Sequence, residues 1–391
     1  MTNLLRAGAA ALALAVAAPA AAQDTNGESA PLPQQKAVTS QGGTLQARVV
    51  ARGLVHPWGL ALLPDGRVLV TERNPGTLRI VGRDGRVSAP LGGVPEIFRY
   101  EGETDRSQAG LFDVKLHPQF ASNRLVYLSL SAPTERGASV RIVRGRLGDA
   151  ALENVETVFE MREDDQDSSG LHFGGRMAID PRAGHIYLSI GDRRNISRAQ
   201  EGEDQAGSIL RMTLDGQVPS DNPFVGDADT NDYIFAKGSR NSQALALDPQ
   251  ARLWSIEHGP KGGDRADLVR AGANLGWPFI TAGVDYSGAP MGVGLAREGM
   301  TSPLHVFEET VAPSGAVVYA GAMFPRWRGN LLVGGLYNES LMRLGLAGDR
   351  VTSVERIEIG RRIRDLAVAP DGAIWLVTEH EDGELVRLTA R

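Results

Sequence analysis

Hydrophobic residues in this chain occur as pairs of short apolar runs, and a proline-containing turn separates the two runs of each pair. β-Branched and aliphatic residues dominate the runs and nearly alternate with other residues, as in half-buried strands. Pro, Gly, Asp and Asn fill the turns, where they favour the required backbone angles. The pattern therefore predicts a repeated strand–turn–strand unit. Its six copies have their turns at Pro64, Pro118, Pro181, Pro249, Pro325 and Pro370.

A two-stranded ribbon cannot bury its apolar face alone, so six ribbons must stack or close on one another. The copies lie roughly 45 to 75 residues apart, which is typical of one β unit with insertions of variable length. Radial closure predicts an all-β fold, a six-bladed β-propeller of four-stranded antiparallel blades around a central channel. A β-sandwich and a pair of smaller β domains are the alternatives.

The N-terminal segment has the pattern of an export signal followed by a leader. Residues 1–22 contain Arg6, then an alanine-rich apolar stretch, then small residues at Ala20–Ala22 that suit cleavage. The stretch is short for a membrane span, and an uncleaved anchor is the alternative. Residues 23–44 are rich in Gln, Ser, Thr, Gly and Pro, which predicts a flexible leader. Residues 45–391 are then a single propeller catalytic domain, periplasmic or secreted.

Composition narrows the classes of function. The chain has 391 residues, 42% of them hydrophobic, which is ample for a core. A formal net charge of −6 argues against a nucleic-acid partner. The absence of cysteine from the sequence excludes thiol nucleophiles, cysteine zinc sites and disulfides. The sequence also has no phosphate-binding loop, dinucleotide fingerprint, serine-hydrolase elbow or zinc-protease helix motif.

Polar residues at the ends of the predicted strands are the candidates for a functional site. They are Gln108, His172, Arg240, Asn241, Glu257, Arg362 and Arg364. In a propeller the innermost strands run along the channel, so side chains at matching strand ends converge on one mouth. Taken singly, each of them is also explained as a turn residue, a solvated arginine or a cap. Their joint pattern favours a site.

Several phrases of the sequence, taken in order, resemble the soluble PQQ-dependent aldose sugar dehydrogenases, which are relatives of soluble glucose dehydrogenase. The phrases are HPWGLALLPDG, QAGLFDVKLHPQF, HFGGRMAIDP, DNPF, GSRNSQALALDP, EHGPKGGD, GANLGWP and RIRDLAVAPDG. The resemblance covers about residues 45–391. It implies a six-bladed propeller, pyrroloquinoline quinone (PQQ) in the central mouth, a calcium ion beside it and a periplasmic location.

The resemblance also implies roles for individual residues. His172 matches the general base that removes the proton of the anomeric hydroxyl while hydride passes to the quinone, a role that suits histidine. Arg240 and Asn241 match the pair that lies against the cofactor, where a guanidinium stabilises charge on the reduced quinone. Gln108 matches a polar contact to the quinone edge.

Thr310, Arg362 and Arg364 match contacts to the PQQ carboxylates, and the arginine fork suits a carboxylate. The family's lysine at the strand end GGLYNESL is replaced by Tyr337 here. Losing one charge-assisted hydrogen bond costs roughly 1.5–3 kcal/mol, about 10- to 100-fold in affinity. Because both arginines are kept, we expect PQQ binding to be weakened rather than lost.

The resemblance also implies a calcium loop at the phrase EHGPKGGD. The backbone carbonyls of Gly259 and Pro260 match calcium ligands, as hard cations prefer oxygen, and the ion would polarise the quinone. Glu257 and Asp264 flank the loop and are expected to support it. The family's usual acid after GGD is replaced by Arg265, which we expect to disturb the loop.

The resemblance favours a periplasmic oxidoreductase that oxidises the anomeric C1 hydroxyl of aldose sugars to lactones with PQQ and calcium. A periplasmic acceptor would then take the electrons. The first alternative is a non-catalytic propeller that binds a sugar or a protein after losing PQQ, a hypothesis motivated by Tyr337. The second is a calcium-dependent lactonase, which would need several carboxylates at the channel where the sequence offers Arg, His and Gln.

Overall fold

Six small sheets arranged in a ring make up the structure of this chain. The structure, a computed structural model, describes residues 29–102 and 107–391. Each sheet presents an innermost strand, which packs beside the innermost strand of the next sheet, and the last packs beside the first. The six-bladed β-propeller predicted from the repeats is therefore confirmed.

The first half of the ring follows the order of the chain. Two strands precede the first blade, β1 (Gln35–Ser40) and β2 (Gly43–Leu54). Blades 1 to 3 contain, from the channel outward, β3 (Pro57–Leu62), β4 (Val68–Glu72) and β5 (Thr77–Val81); β6 (Leu111–Leu116), β7 (Leu125–Thr134), β8 (Gly137–Leu147) and β9 (Leu152–Glu160); and β10 (Met177–Asp180), β11 (His185–Ile190), β12 (Ser208–Thr213) and β13 (Ile234–Lys237).

The second half repeats this plan, with short helical turns between some strands. Blade 4 contains β14 (Ser242–Leu247), β15 (Leu253–Glu257), β16 (Arg265–Val269) and β18 (His305–Val306); blade 5 contains β19 (Pro313–Val318), β20 (Leu331–Gly335), β21 (Ser340–Ala347) and β22 (Arg350–Glu358); and blade 6 contains β23 (Ile363–Val368), β24 (Ile374–Thr378) and β25 (Gly383–Ala390). Between β16 and β18 in the chain lies β17 (Ala273–Asn274), which belongs to the sheet of blade 3. The helical segments are α1 (Phe120–Asn123) and the 3₁₀ turns Glu163–Asp165, Arg198–Gln200 and Pro325–Trp327.

All six proline turns occupy the same place in the fold. Each joins the innermost strand of a blade to its second strand, as Pro64 does between β3 and β4. The predicted repeat is therefore the inner hairpin of every blade. No helix within residues 29–102 and 107–391 is long and apolar enough to cross a membrane.

The ring closes through pairing between the two ends of the chain. β2 is antiparallel to β25 in blade 6, and β1 pairs with β2 at the edge of that sheet. The predicted flexible leader at residues 23–44 is wrong at residues 35–40 and 43–44, which belong to β1 and β2. Residues 23–28 and the predicted signal peptide at residues 1–22 lie outside the described residues.

Strand number varies between blades, where four strands were predicted in each. Blade 1 has three strands, blades 2, 4 and 5 have four, and blades 3 and 6 have five. After β5 the chain forms an isolated bridge between Val81 and Val87, and N–H groups of Ser88 and Leu91 donate to carbonyls of β5, where the other blades have a fourth strand. Blade 3 gains β17, which runs parallel to β13, and blade 6 gains β1.

The mouth ends of the innermost strands are irregular in five blades. Such bulges redirect side chains and are common beside active sites. The ladder shifts register between Pro57 and Gly59, Leu111 and Val114, Ser242 and Ala244, Pro313 and Ala316, and Ile363 and Asp365. The same ends are tied to their neighbours, because buried hydroxyls donate to carbonyls of the next blade. The hydroxyl of Thr71 donates to the carbonyl of Phe112, that of Ser129 to Gly175, that of Ser189 to Ser242, and that of Ser314 to Ile363.

One arginine crosses the middle of the ring below these strand ends. Arg176 precedes β10 in blade 3 and is almost fully buried. Its guanidinium lies 3.9 Å from the ring centroid of Trp58 in blade 1 and forms ion pairs with Asp113 of blade 2 and Asp365 of blade 6. It also donates to the carbonyl of Gln243 in blade 4. The side chain therefore forms a floor for the mouth of the channel.

Candidate active site

His172 sits in a tight turn at the mouth, between blade 2 and the innermost strand of blade 3. Its φ of 50° lies in the left-handed region, which stores strain at a non-glycine residue. A Cβ at Gly174 would lie 2.5 Å from the carbonyl oxygen of Ser189, and one at Gly175 would lie 2.5 Å from the ring of Phe112. The two glycines let the turn pack against both blades, so the position of His172 is fixed by the backbone.

The ring of His172 belongs to a buried hydrogen-bonded chain. Its Nδ1 lies 2.6 Å from Oδ1 of Asp192, and Nε1 of Trp277 donates to Oδ2 of Asp192 at 2.8 Å. Burial lowers the pKa of His172 to about 4, although the hydrogen bond with Asp192 acts in the opposite direction. The ring is therefore neutral near neutral pH. With Nδ1–H donated to Asp192, Nε2 carries the lone pair of a general base.

Gln108 and Asn241 hold the turn that carries His172. Oε1 of Gln108 accepts the backbone N–H of His172 at 2.8 Å, and Oδ1 of Asn241 accepts that of Gly174 at 3.2 Å. The structure thus brings Gln108, His172 and Asn241 together at the mouth. The contacts it describes for Gln108 go to the histidine turn, and its quinone contact stays a prediction.

Arg240 lies beside the same chain of hydrogen bonds. Its carbonyl accepts the N–H of Asp192 at 2.8 Å, and its own N–H donates to Glu257. Its guanidinium carbon lies 5.5 Å from the ring centroid of Trp277, and Nη2 donates to the hydroxyl of Tyr286 at 3.3 Å. A positive charge is therefore held next to the neutral histidine.

Arg362 and Arg364 lie in blade 6, across the ring from blade 3. Arg364 pairs with Glu379 and donates to Oε1 of Gln243 at 3.3 Å. Arg362 lies 3.7 Å from the same oxygen of Glu379, and Arg73 of blade 1 lies 3.2 Å from its other oxygen. Three guanidinium groups thus surround one carboxylate.

A family model described as Glucose / Sorbosone dehydrogenase matches residues 54–387, which include every residue of the site. The chain belongs to the glucose/sorbosone dehydrogenase family.

Relatives of this family member include named sugar dehydrogenases. The aldose sugar dehydrogenase YliI of Escherichia coli is 35% identical over 356 residues, covering 89% of this chain and 94% of that protein. A glucose dehydrogenase crystal structure superposes with a TM-score of 0.83 at 39% identity, covering 88% of this chain and 99% of that chain. The PQQ-bound aldose sugar dehydrogenase of Streptomyces coelicolor gives a TM-score of 0.72 at 28% identity, covering 92% and 99%.

The charge distribution of this family member fits a polycarboxylate such as PQQ. Arg73, Arg362 and Arg364 bring three positive charges to Glu379, which neutralises one. Although burial alone would raise the pKa of Glu379, the arginines hold it well below its usual range, so the glutamate stays charged. Two positive charges are left for an anionic ligand at the blade 6 side of the mouth.

Asp264 ties the predicted calcium loop to the segment of Thr310. Its Oδ1 accepts the N–H of Gly259 at 3.0 Å, and its Oδ2 accepts the N–H groups of Val311 at 2.9 Å and Ala312 at 2.7 Å. The carboxylate is therefore occupied by backbone donors, which agrees with a supporting role. Tyr337 lies next to this segment, because its N–H donates to the carbonyl of Val311 at 3.0 Å.

A calcium ion would have to be held mainly by backbone oxygens. Within residues 29–102 and 107–391, no group of three or more His, Asp or Glu is arranged to hold a metal ion. The loop itself is folded closely enough for a carbonyl cradle, because a Cβ at Gly259 would lie 2.0 Å from the carbonyl oxygen of Gly262. Gly259 and Pro260 therefore fit a backbone-oxygen site, and their ligand role stays a prediction.

Arg265 stands where the resemblance implies an acid, and its positive charge is paired with two buried carboxylates. It lies 2.7 Å from Glu257 and 3.1 Å from Asp267, and all three side chains are buried. Glu257 in turn accepts the hydroxyl of Ser239 at 2.6 Å and the N–H of Arg240 at 2.8 Å. Glu257 therefore supports the backbone of Arg240, as well as the strand that enters the calcium loop.

Asp267 is expected to make the stability of the protein depend on pH. Burial raises the pKa of Asp267 to about 7, so the stability present at low pH is lost as pH rises through that value. We expect Asp267→Asn to gain melting temperature relative to wild type between about pH 5 and about pH 8. Thermal unfolding of both proteins across that range measures the effect. The exposed acid Asp229, replaced by asparagine, is the control, and parallel curves for all three proteins would contradict the prediction.

Asp192→Asn is expected to lower kcat for sugar oxidation roughly 10- to 100-fold, because a charge-assisted hydrogen bond to the histidine is lost. Asparagine retains an acceptor for Trp277 but cannot stabilise a protonated imidazole. Because Asp192 raises the pKa of His172, the variant should also move the acidic limb of the kcat/KM profile to lower pH. Steady-state rates across pH measure both effects. Unchanged kcat with an unmoved acidic limb would exclude this role for Asp192.

Proposed function

We propose that this protein is a periplasmic dehydrogenase that uses PQQ and calcium to oxidise the C1 hydroxyl of aldose sugars to lactones. The observation that carries the proposal is a neutral, buried His172 oriented by Asp192 at the same mouth as a cationic cluster. A PQQ-bound relative and the sugar dehydrogenase relatives support it.

The chain's own residues would move the proton and orient the reactants. When bound, PQQ supplies the acceptor for the hydride that leaves C1. Nε2 of His172 accepts the proton of the C1 hydroxyl, so that the C1–O bond becomes the carbonyl of the lactone. Asp192 keeps Nδ1–H in place and stabilises the imidazolium that results. Arg240 provides positive charge beside the reacting atoms.

The remaining groups would hold the cofactor and the ion. Arg362, Arg364 and Thr310 would bind the PQQ carboxylates, and the carbonyls of Gly259 and Pro260 would bind calcium. We place the sugar against the outer rim of the mouth, where Tyr286 is 58% exposed while its hydroxyl is bonded to Arg240. A periplasmic acceptor would reoxidise the cofactor.

A non-catalytic propeller that binds a sugar or a protein is the second candidate. Tyr337 favours it, because this side chain is 42% exposed and stands where the resemblance implies a lysine. A calcium-dependent lactonase is not supported, because the described residues offer no cluster of metal-binding acids.

Titration of the purified mature protein with PQQ and calcium, followed by dye reduction on adding aldoses, tests the proposal. Saturable quinone binding with aldose-dependent reduction is the expected result. Absence of binding at micromolar PQQ would reject the dehydrogenase and favour the binding propeller. Hydrolysis of a lactone without quinone would favour the lactonase.

A further inference from the structure

Arg73 is held rigidly at the mouth although no motif of the chain marks it. It follows β4 directly, its N–H donates to the carbonyl of His56 at 2.9 Å, and its carbonyl accepts the N–H of Leu111 at 3.1 Å. Gly110, whose φ is 150°, leaves room for it, since a Cβ there would lie 2.5 Å from Cγ of Arg73. The segment that holds Arg73 is thus continuous with Gln108, which holds the histidine turn.

The charge of Arg73 is not needed to neutralise Glu379. Arg364 is buried and pairs with that carboxylate, and Arg362 lies within 3.7 Å of the same oxygen. Arg73 approaches the other oxygen at 3.2 Å, and its side chain is 13% exposed. The guanidinium is therefore fixed, partly accessible and in excess over the negative charge that residues 29–102 and 107–391 offer it. A buried surplus of positive charge is costly without an anion to share it.

We infer that Arg73 binds a carboxylate of the cofactor and supplies the positive charge that Tyr337 does not. This inference rests on the proposed function, because it assigns a residue to the proposed PQQ site. Arg73 reaches Glu379 from blade 1, while Arg362 and Arg364 reach it from blade 6. The site would then offer three arginines to a cofactor that has three carboxylates. Arg73 in blade 1, on one side of blade 6, would compensate for the lysine that is missing at Tyr337 in blade 5, on the other side.

The test compares PQQ affinity across variants at the two ends of β4. Arg73→Gln removes the charge, Arg73→Lys keeps the charge without the fork, and Arg67→Gln removes the other arginine that flanks β4, which pairs with Asp65. Equilibrium dialysis of the full-length mature apoprotein gives the dissociation constant, and thermal unfolding reports whether each variant is folded. We expect R73Q to bind PQQ roughly 10- to 100-fold more weakly, R73K to lie between, and R67Q to match wild type.

A second probe separates this inference from the proposed function. Trimesate, a planar aromatic tricarboxylate without a quinone, is expected to raise the melting temperature of wild type and R67Q but not of R73Q. If wild type binds PQQ and R73Q binds it equally, the inference is overturned and the proposed function stands. If trimesate binding requires Arg73 but PQQ does not bind, the anion site stands and the proposed function is rejected. Binding of neither probe to wild type overturns both.

Discussion

Replacing His172 by alanine is expected to lower kcat/KM for aldose oxidation by about 10²- to 10⁴-fold, the usual contribution of a positioned general base. Asp192 cannot take over, because in the variant its Oδ1 still accepts the N–H of Arg194 at 2.9 Å and its Oδ2 still accepts Nε1 of Trp277 at 2.8 Å. PQQ affinity should be little changed, since the cationic cluster lies in blades 1 and 6. Steady-state rates with saturating PQQ and calcium measure the loss.

The control for this variant is His185→Ala. His185 begins β11 of the same blade at the end away from the mouth, so its loss should leave kcat/KM unchanged. A His172→Ala protein that retained full turnover would reject the mechanism while leaving the fold intact.

The pH profile of the wild-type enzyme gives an independent signature of the same residue. The base must be neutral to accept a proton, and burial lowers the pKa of His172 to about 4. The rate should therefore stay level as pH falls from neutrality and should decline only near pH 4. An inflection near about 6.5, the ordinary pKa of histidine, would contradict the buried hydrogen-bonded geometry.

The inner hairpins could be predicted from sequence because their signal is local. Each one shows its apolar alternation and its proline turn within one short stretch, and the six together require closure. The pairing of β1 and β2 with β25 could not be seen this way, since partners at the two ends of the chain leave no local mark. The Gln- and Ser-containing sequence around β1 is an edge strand, where polar residues are tolerated, and composition alone therefore suggested a leader.

The site was predicted in part for a similar reason. His172, Gln108, Arg240 and Asn241 stand at entries to innermost strands, and the structure brings them together. Asp192 was missed because it follows a strand and acts only through its contacts. Its position after the second strand of blade 3 is a signal that could have identified it, because an acid also ends or follows the second strand of blades 1, 4 and 6. These acids are Glu72, Glu257 and Glu379.

The second large effect is expected at Arg176, which joins the blades at the floor of the mouth. Its guanidinium lies 3.1 Å from Asp365 and 3.5 Å from Asp113, and both acids are buried. Asp113 has a second cation in Lys115 at 2.9 Å, whereas burial raises the pKa of Asp365 and Arg176 is the closest counter-charge. Removing the arginine would leave at least one buried carboxylate without compensation.

Arg176→Met is therefore expected to lower the free energy of unfolding by about 3–5 kcal/mol, the usual cost of breaking a buried ion pair from one side. Denaturant unfolding compares it with Arg182→Met, a change in the proline turn of the same blade, where the guanidinium only donates to the carbonyl of Pro249. Combining Arg176→Met with Asp365→Asn should recover part of the loss, because the uncompensated charge is then gone. A single variant as stable as the Arg182→Met control would show that the ion pairs of Arg176 do not contribute to holding the blades together. Recovery in the double variant would instead show that the arginine is present chiefly to neutralise the acids of the channel, and that shape complementarity at the floor contributes less.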